Sequence, residues 1–371
     1  SNQTCANRFT VTRTYRATDA CGNSATCTQT IVVFDNTAPT FTCPPNKVIL
    51  YNGVCTYDAS ANNTGFPTNV SDNCGGPVAI TSSDAISQCG GNIVIKRTWR
   101  LMDQCGNIAN CIQTITVTDN NTPYIIYATK EAKFGEDNLI NGDVGVTDAN
   151  GKAEFKKNDV LDPNHVYAKN ITVQLPSMVN NKHFVPATGG PAPAFMMYVA
   201  NPLSGNYTQS VNGTVPAGNY KELTIKNGVT ATVNGSDYGK VKIEEGAKVT
   251  FTSSSINMEE LTVGKGKNNG TTNIYFTQCT GVKIKDRVTI EEDCRVNVGG
   301  PKVTFYLGDS KKDEENFMIK GDDTWVTANI MIPNGKLKID KKSDNCMMTG
   351  WYIVEKLEST GATVWNKYDC T

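Results

Sequence analysis

ATDACGNSATCTQTIVVFDNTAP, from Ala17 to Pro39, returns 84 positions later as LMDQCGNIANCIQTITVTDNNTP, from Leu101 to Pro123, with 13 of 23 positions identical. Such a repeat marks a module, and its interior says what kind. Phe9, Val11, Tyr15 and Ala17 alternate with polar positions ahead of the first copy, as Ile93, Ile95, Trp99 and Leu101 do ahead of the second. That is the period of a half-buried strand. Beyond the turn, Ile115 and Val117 alternate with Thr114, Thr116 and Thr118. Gly22 or Gly106, each followed by Asn, supplies the backbone freedom of a hairpin between two such strands. A repeat of 84 residues built this way fits an immunoglobulin-like β-sandwich.

Composition changes near residue 124. Up to Pro123 the acids are Asp19, Asp35, Asp58, Asp72, Asp84, Asp103 and Asp119, with no glutamate, whereas the remainder is rich in Glu and Lys. Asp suits turns and Glu suits helices, so the first part reads as turn-rich sheet. Beyond the boundary the repeats shorten. LTIKNGVTATV from Leu223 aligns with VKIEEGAKVTF from Val241 at an offset of 18, and AKFGEDNLI from Ala132 with AEFKKNDVL from Ala153 at an offset of 21. Short strands at periods near 20 predict a parallel β-solenoid, whose coils bury their apolar positions only by stacking. The segment Pro176 to Gln209 breaks that rhythm, and its Phe184, Phe195, Met196, Met197 and Tyr198 predict a cap packed over one end. The expected fold class is all-β. Residues 1–40 form the C-terminal part of one repeat and 41–123 a complete repeat; residues 124–371 form a solenoid with an insertion at about 176–209.

A formal net charge of −1 gives no global field to draw nucleic acid or an anionic membrane, and no apolar run approaches a bilayer span. Thirteen cysteines point to an oxidising compartment. Zinc is the rival, but the chain has two histidines, His165 and His183, and lacks a C-x2-C pair. Cys21 with Cys27 and Cys105 with Cys111 are placed to close the hairpins, while Cys43 with Cys55, Cys74 with Cys89 and Cys346 with Cys370 are further candidates. Cys279 and Cys294 lie less than one coil apart. Spacing leaves the pairing open. By the 84-residue offset Cys5 matches Cys89, and the residue matching Cys74 would precede Ser1, so the chain reads as cut from a longer array.

Catalytic signatures are absent from the sequence: there is no G-x-S-x-G elbow and no Cys beside a His. His165 follows a turn and reads as an edge residue. The acid pairs Glu244–Glu245, Glu259–Glu260, Glu291–Glu292 and Asp322–Asp323 read as solvated turns, since neighbours on a strand face opposite ways. The strongest chemical signal is calcium at the ends of the modules, with Asp35, Asn36, Asp119 and Asn120 as oxygen ligands and Asp19 and Asp103 as additions. An Asx turn before proline explains the same residues. Asn206 and Asn269 head glycosylation triplets, and the lysine groups at 311–312 and 336–342 read as turns.

YRATDACGNSATCTQTIVVFDNTAPTFTCP and its second copy resemble the hyalin-type, immunoglobulin-like repeats of giant surface proteins exported by the type IX secretion system, the gliding-motility adhesins among them. NLINGDVGVTDANGKAEF and MTGWYIVEKLES are similar to the β-solenoid that follows such repeats, and more distantly to bactofilin-like solenoids. The resemblance implies display on a bacterial cell surface, with neighbouring repeats as partners and the solenoid engaging surface glycans or cell-envelope proteins. WNKYDCT at the C-terminus departs from the sorting domain expected of a type IX substrate. A non-enzymatic adhesin is the leading expectation. A polysaccharide lyase or hydrolase built on a β-helix and a structural polymer subunit are the alternatives.

Overall fold

The computed structural model describes residues 5, 7–52, 56–89, 92–118, 124–189, 195–266, 270–308, 315–340 and 344–367. Among them the fold is nearly all β, with a single helical turn at Ala61–Thr64. Contacts divide the chain into two compact units: Ser1–Ile49, Asp58–Ser87 and Val94–Thr116 make the first, and Leu50–Tyr57, Gln88–Ile93 and Val117–Thr371 the second.

The first unit is antiparallel. Arg8–Thr18 pairs with Ser24–Phe34 from Arg8 opposite Phe34 to Thr18 opposite Ser24, forming a two-stranded sheet. A four-stranded sheet runs in the order Lys47–Leu50, Ile108–Thr118, Asn92–Met102, Ala79–Cys89, and Thr40–Thr42 pairs with Thr68–Ser71. Alternation decides the core: Ile95, Trp99, Leu101 and Ile115 are buried. Arg97 takes one of those inward positions. A buried guanidinium must be paired, and Asp84 meets it with two bonds of 2.8 Å while Thr64 Oγ1 and the Ala59 carbonyl accept at 2.9 and 2.7 Å. The hydrogen bonds from Arg97 hold the Asp84 carboxyl below its usual range.

The second unit is built from parallel strands in two sheets of nine and fifteen, and from Ser204 to Asn366 the chain visits them alternately except at Val303–Leu307 and Glu315–Ile319, which are consecutive and both in the larger sheet. The sequence repeats become register. Leu223 lies beside Val241 and Ile225 beside Ile243 at an offset of 18, and Ala132 beside Ala153 and Phe134 beside Phe155 at an offset of 21. One apolar column runs Tyr207, Leu223, Val241, Leu261, Val288, Phe317, Leu337, Leu357, Ala132, Ala153, Ile171. All but its two ends are buried.

The numbering of that column jumps from 357 back to 132. The stack joins two stretches of chain: Tyr124–Phe134 pairs with Tyr352–Ser359, and Leu139–Asn141 with Thr363–Asn366. Trp365, fully buried, fills the joint, edge-on to Phe134 and Tyr352 with its indole N–H toward Asn138 Oδ1 at 3.4 Å.

This order corrects the cap expected at 176–209. Asn181–His183 and Ser204–Gln209 are rungs at opposite ends of the fifteen-stranded sheet. The eleven spacings between twelve strands in path span roughly 53 Å at ~4.8 Å each, and the connecting residues 184–203 could reach about 66 Å if extended. The described parts of the connection, 184–189 and 195–203, lie along the stack as a strap. Its contacts advance accordingly: Ala187 N–H to Val146 O, then Phe195 on Tyr306, then Asn201 to Asp237, then Ser204 N–H to Asn219 O. Gly308 lies under Phe195, where a Cβ would stand 2.9 Å from the ring.

Candidate functional site: the joint between successive hairpins

One aspartate builds each hairpin turn. Asp19 Oδ1 accepts the Cys21 and Asn23 N–H groups at 2.9 and 2.8 Å, and its Oδ2 accepts Asn23 Nδ2 at 2.9 Å. Asp103 repeats the set with Cys105 and Asn107 at 2.8, 2.8 and 2.7 Å. Gly22 and Gly106 sit at φ +88° and +86°, which favours glycine. The Asn23 side chain leads the donors that lower the Asp19 pKa. Burial pushes Asp103 up, but the Asn107 and Cys105 donors outweigh it and leave it lowered. Both carboxylates thus face their own turns.

The second turn also holds the first hairpin. Asn107 Oδ1 accepts from Arg8 Nη2 at 3.2 Å, and Arg8 Nε and Asn107 Nδ2 donate to the Asp35 carbonyl at 3.2 and 3.3 Å. The Arg8 guanidinium lies 4.7 Å over the Phe34 ring. Asn7 N–H groups add a further tie, with Nδ2 donating to Cys74 O at 3.2 Å. Cys5 closes the joint covalently, bonded to Cys105 across 100 residues.

The cysteine pairing differs from the spacing-based one. Cys43 bonds Cys111, not Cys55, and Cys105 bonds Cys5, not Cys111. Cys21 and Cys27 remain exposed thiols, as does Cys74. Hairpin geometry is the reason: Cys27 sits opposite Tyr15, three residues beyond the pair Thr18 and Ser24 that flanks the turn. That is roughly 10 Å of strand, past the ~7 Å limit for a bridge. In the second unit Cys279 is disulfide-bonded, while Cys294 is a buried thiol whose pKa burial pushes up to about 12. Cys346 is buried with Sγ 3.5 Å from Gly321 O. Cys55, Cys370 and the side chain of Cys89 lie outside the described residues.

Of the four expected calcium ligands, Asp119 and Asn120 also lie outside the described residues. Asp35 is 3% exposed and Asn36 is exposed. The atoms gathered near Asp35 come from Asp72 and Cys74, all within 4.8 Å of one another. Burial first, and then the Asp35 charge, raise the Cys74 thiol pKa. Two carboxylates and a sulfur are fewer oxygens than calcium collects, and the sulfur suits a softer ion such as zinc.

On the parallel stack, a charged groove crosses successive rungs at Glu131, Lys133, Lys336, Glu355, Lys356 and Glu358. Its acids face lysines: Glu355 meets Lys130, Glu131 meets Lys133 at 2.9 Å, and Glu358 meets Lys336. Burial would raise the Glu358 pKa, yet Lys336 wins and lowers it. The adjacent acids behave similarly, with Glu260 paired to Lys240 and Arg287 and Glu244 to Lys226 and Lys242. The two histidines, 18 residues apart, meet on the paired end rungs His165–Tyr167 and Asn181–His183. His165 Nδ1 and His183 Nε2 are 2.9 Å apart with ring centroids at 5.2 Å, so the rings point end to end in one hydrogen bond, without a shared open side for a metal. No sequence signal flagged that pair.

Comparison with protein-family models, with characterised proteins and with solved structures finds no match to this chain.

Proposed function

We propose that this chain is part of an extracellular, load-bearing tether, in which the antiparallel unit represents immunoglobulin-like repeats joined in series and the parallel stack is a β-solenoid that engages surfaces. The observation that carries the reading is the Cys5–Cys105 bond, because it links one copy of the repeated hairpin to the turn of the next. A covalent joint between modules resists their separation, which is what a stalk under tension requires. The stack carries a half-buried aromatic cluster at its end rungs, with Tyr167 stacked on His183 at 4.3 Å and edge-on to the buried Tyr124. Aromatic faces of this kind suit sugars and other flat apolar groups.

Pulling single molecules from both ends tests the tether. In the oxidised protein the 100 residues between Cys5 and Cys105 stay locked, so reduction should add about 35 nm of extension. Equal extension before and after reduction would sink the reading. Binding to glycan-coated and bare surfaces tests the role of the stack.

A polysaccharide-active enzyme is the second reading, supported by the groove at Glu131, Glu355 and Glu358. Glycoside hydrolysis needs one acid kept protonated, and here Lys336 favours the charged form of Glu358. Release of reducing ends from polysaccharides, abolished in Glu355→Gln, would favour it over the tether.

A further inference from the structure

The first hairpin leaves open what the second buries. Val11, Tyr15 and Val33 are 37%, 45% and 37% exposed, whereas their counterparts 84 positions on, Ile95, Trp99 and Val117, are 1%, 3% and 0% exposed. The polar members are already assembled. Tyr15 Oη donates to Gln29 Oε1 at 2.9 Å with Arg13 6.0 Å over the ring, as Trp99 Nε1 donates to Gln113 Oε1 at 3.2 Å with Arg97 5.7 Å over the indole.

In the second copy, Cys43, Pro45, Ala59, Thr64, Phe66 and Asp84 cover this set. Asp84, Ala59 O and Thr64 receive Arg97, while Pro45 O and Thr64 O receive the Gln113 amide at 2.9 and 2.8 Å. Phe66 packs on Trp99 at 6.0 Å, and Cys43 bonds Cys111. The turn cysteine, Cys105, is taken by Cys5 of the preceding copy. The matching positions of the first hairpin are Cys27 and Cys21, both exposed thiols.

We infer that the face of the Arg8–Thr18 and Ser24–Phe34 hairpin accepts the N-terminal part of another repeat of this kind, which closes it with two disulfides. One joins Cys27 to the position equivalent to Cys43, within a repeat. The other joins Cys21 to the position equivalent to Cys5, between repeats. The occupant's chemistry is set by the second copy: a carboxylate for Arg13, two backbone carbonyls for Gln29, an aromatic ring for Tyr15, and two thiols. The inference deepens the tether reading and rests on it only for the purpose of the joint. In each closure a thiolate attacks a disulfide oxidant such as oxidised glutathione, releasing one glutathione thiol, and the occupant's thiolate then displaces the second. Two protein thiols become one S–S bond, and the oxidant carries away two electrons and two protons.

The test is a full chain with residues 1–84 duplicated ahead of Ser1, folded in a glutathione buffer, alkylated, and mapped by mass spectrometry without reduction. Cys21 and Cys27 of the original hairpin should appear bonded to the inserted Cys5 and Cys43, and their alkylation should fall more than 10-fold. The inserted Cys21 and Cys27 should stay alkylated. Cys43→Ser in the inserted copy should free Cys27 alone. Alkylation of both original thiols in molecules that contain Cys5–Cys105 and Cys43–Cys111 would overturn the inference, since those bonds show that the parent fold formed. A pulling experiment without locked length would instead fail the tether and leave this mapping untouched.

Discussion

In the antiparallel unit the hairpin Arg8–Thr18 with Ser24–Phe34 has open faces, and most of its residues are exposed. In the parallel stack a rung such as Asp237–Ile243 has a neighbour on each side, and five of its seven residues are buried. The difference teaches how each region can be held. Isolated strand pairs are marginal in water, so the first region depends on cross-links and paired charges that fix it at points. The second gains from each added rung, because every rung covers the last.

Trp365→Ala should show the largest effect, about 3–5 kcal/mol, because it empties the joint where Thr363–Asn366 meets Leu139–Asn141. Hydrogen exchange should place that loss in the second unit alone. Equal loss in the first unit would break the contrast. The double variant Cys43→Ser, Cys111→Ser should cost about 2–4 kcal/mol, read as a lower urea midpoint for the first unit with the second unchanged.

Acidity separates the regions by sign. Asp84 is lowered by the hydrogen bonds from Arg97, so its stabilisation is present above the unfolded carboxyl pKa and fades as pH falls through the folded value. Asp159 is raised to about 6 by burial, against the Asn138 and Lys156 donors. Its folded form prefers the proton, so the second unit should be more stable near pH 4 and lose roughly 1–3 kcal/mol as pH rises through 6. Urea titrations from pH 3 to 7 check both, and Asp159→Asn should flatten the second slope. The smallest effect belongs to the rung-to-rung pair of Lys240 and Glu260 at 3.5 Å, with the lysine side chain 61% exposed. A double-mutant cycle should give about 0.2–1 kcal/mol, vanishing in high salt.

Local features were legible in the sequence because they are written locally. Asp103, Gly106 and Asn107 specify a turn by themselves, and the offset of 18 between Leu223 and Val241 becomes strand register. Long-range partners were not. Every rung carries a similar apolar pattern, so nothing in Tyr124–Phe134 marks Tyr352–Ser359 as its neighbour in preference to another rung. Cysteine spacing misleads for a related reason. Cys105 and Cys111 are close in sequence but occupy different levels of one hairpin, and each finds its partner 100 or 68 residues away. The approach of Asp35 and Cys74 likewise depends on the fold rather than on spacing, whereas the 18 residues from His165 to His183 match the offset of Leu223 and Val241.

The jump in the stacking order, from Leu357 to Ala132, places the entry and exit of the stack on adjacent strands. Parallel neighbours pulled from the start of one and the end of the other must slide in shear, so their hydrogen bonds resist together instead of parting one by one. Force applied between residues 124 and 366 therefore loads the rung where Tyr124–Phe134 meets Tyr352–Ser359 and Leu139–Asn141 meets Thr363–Asn366, ahead of the rungs from Ser204 to Ile339.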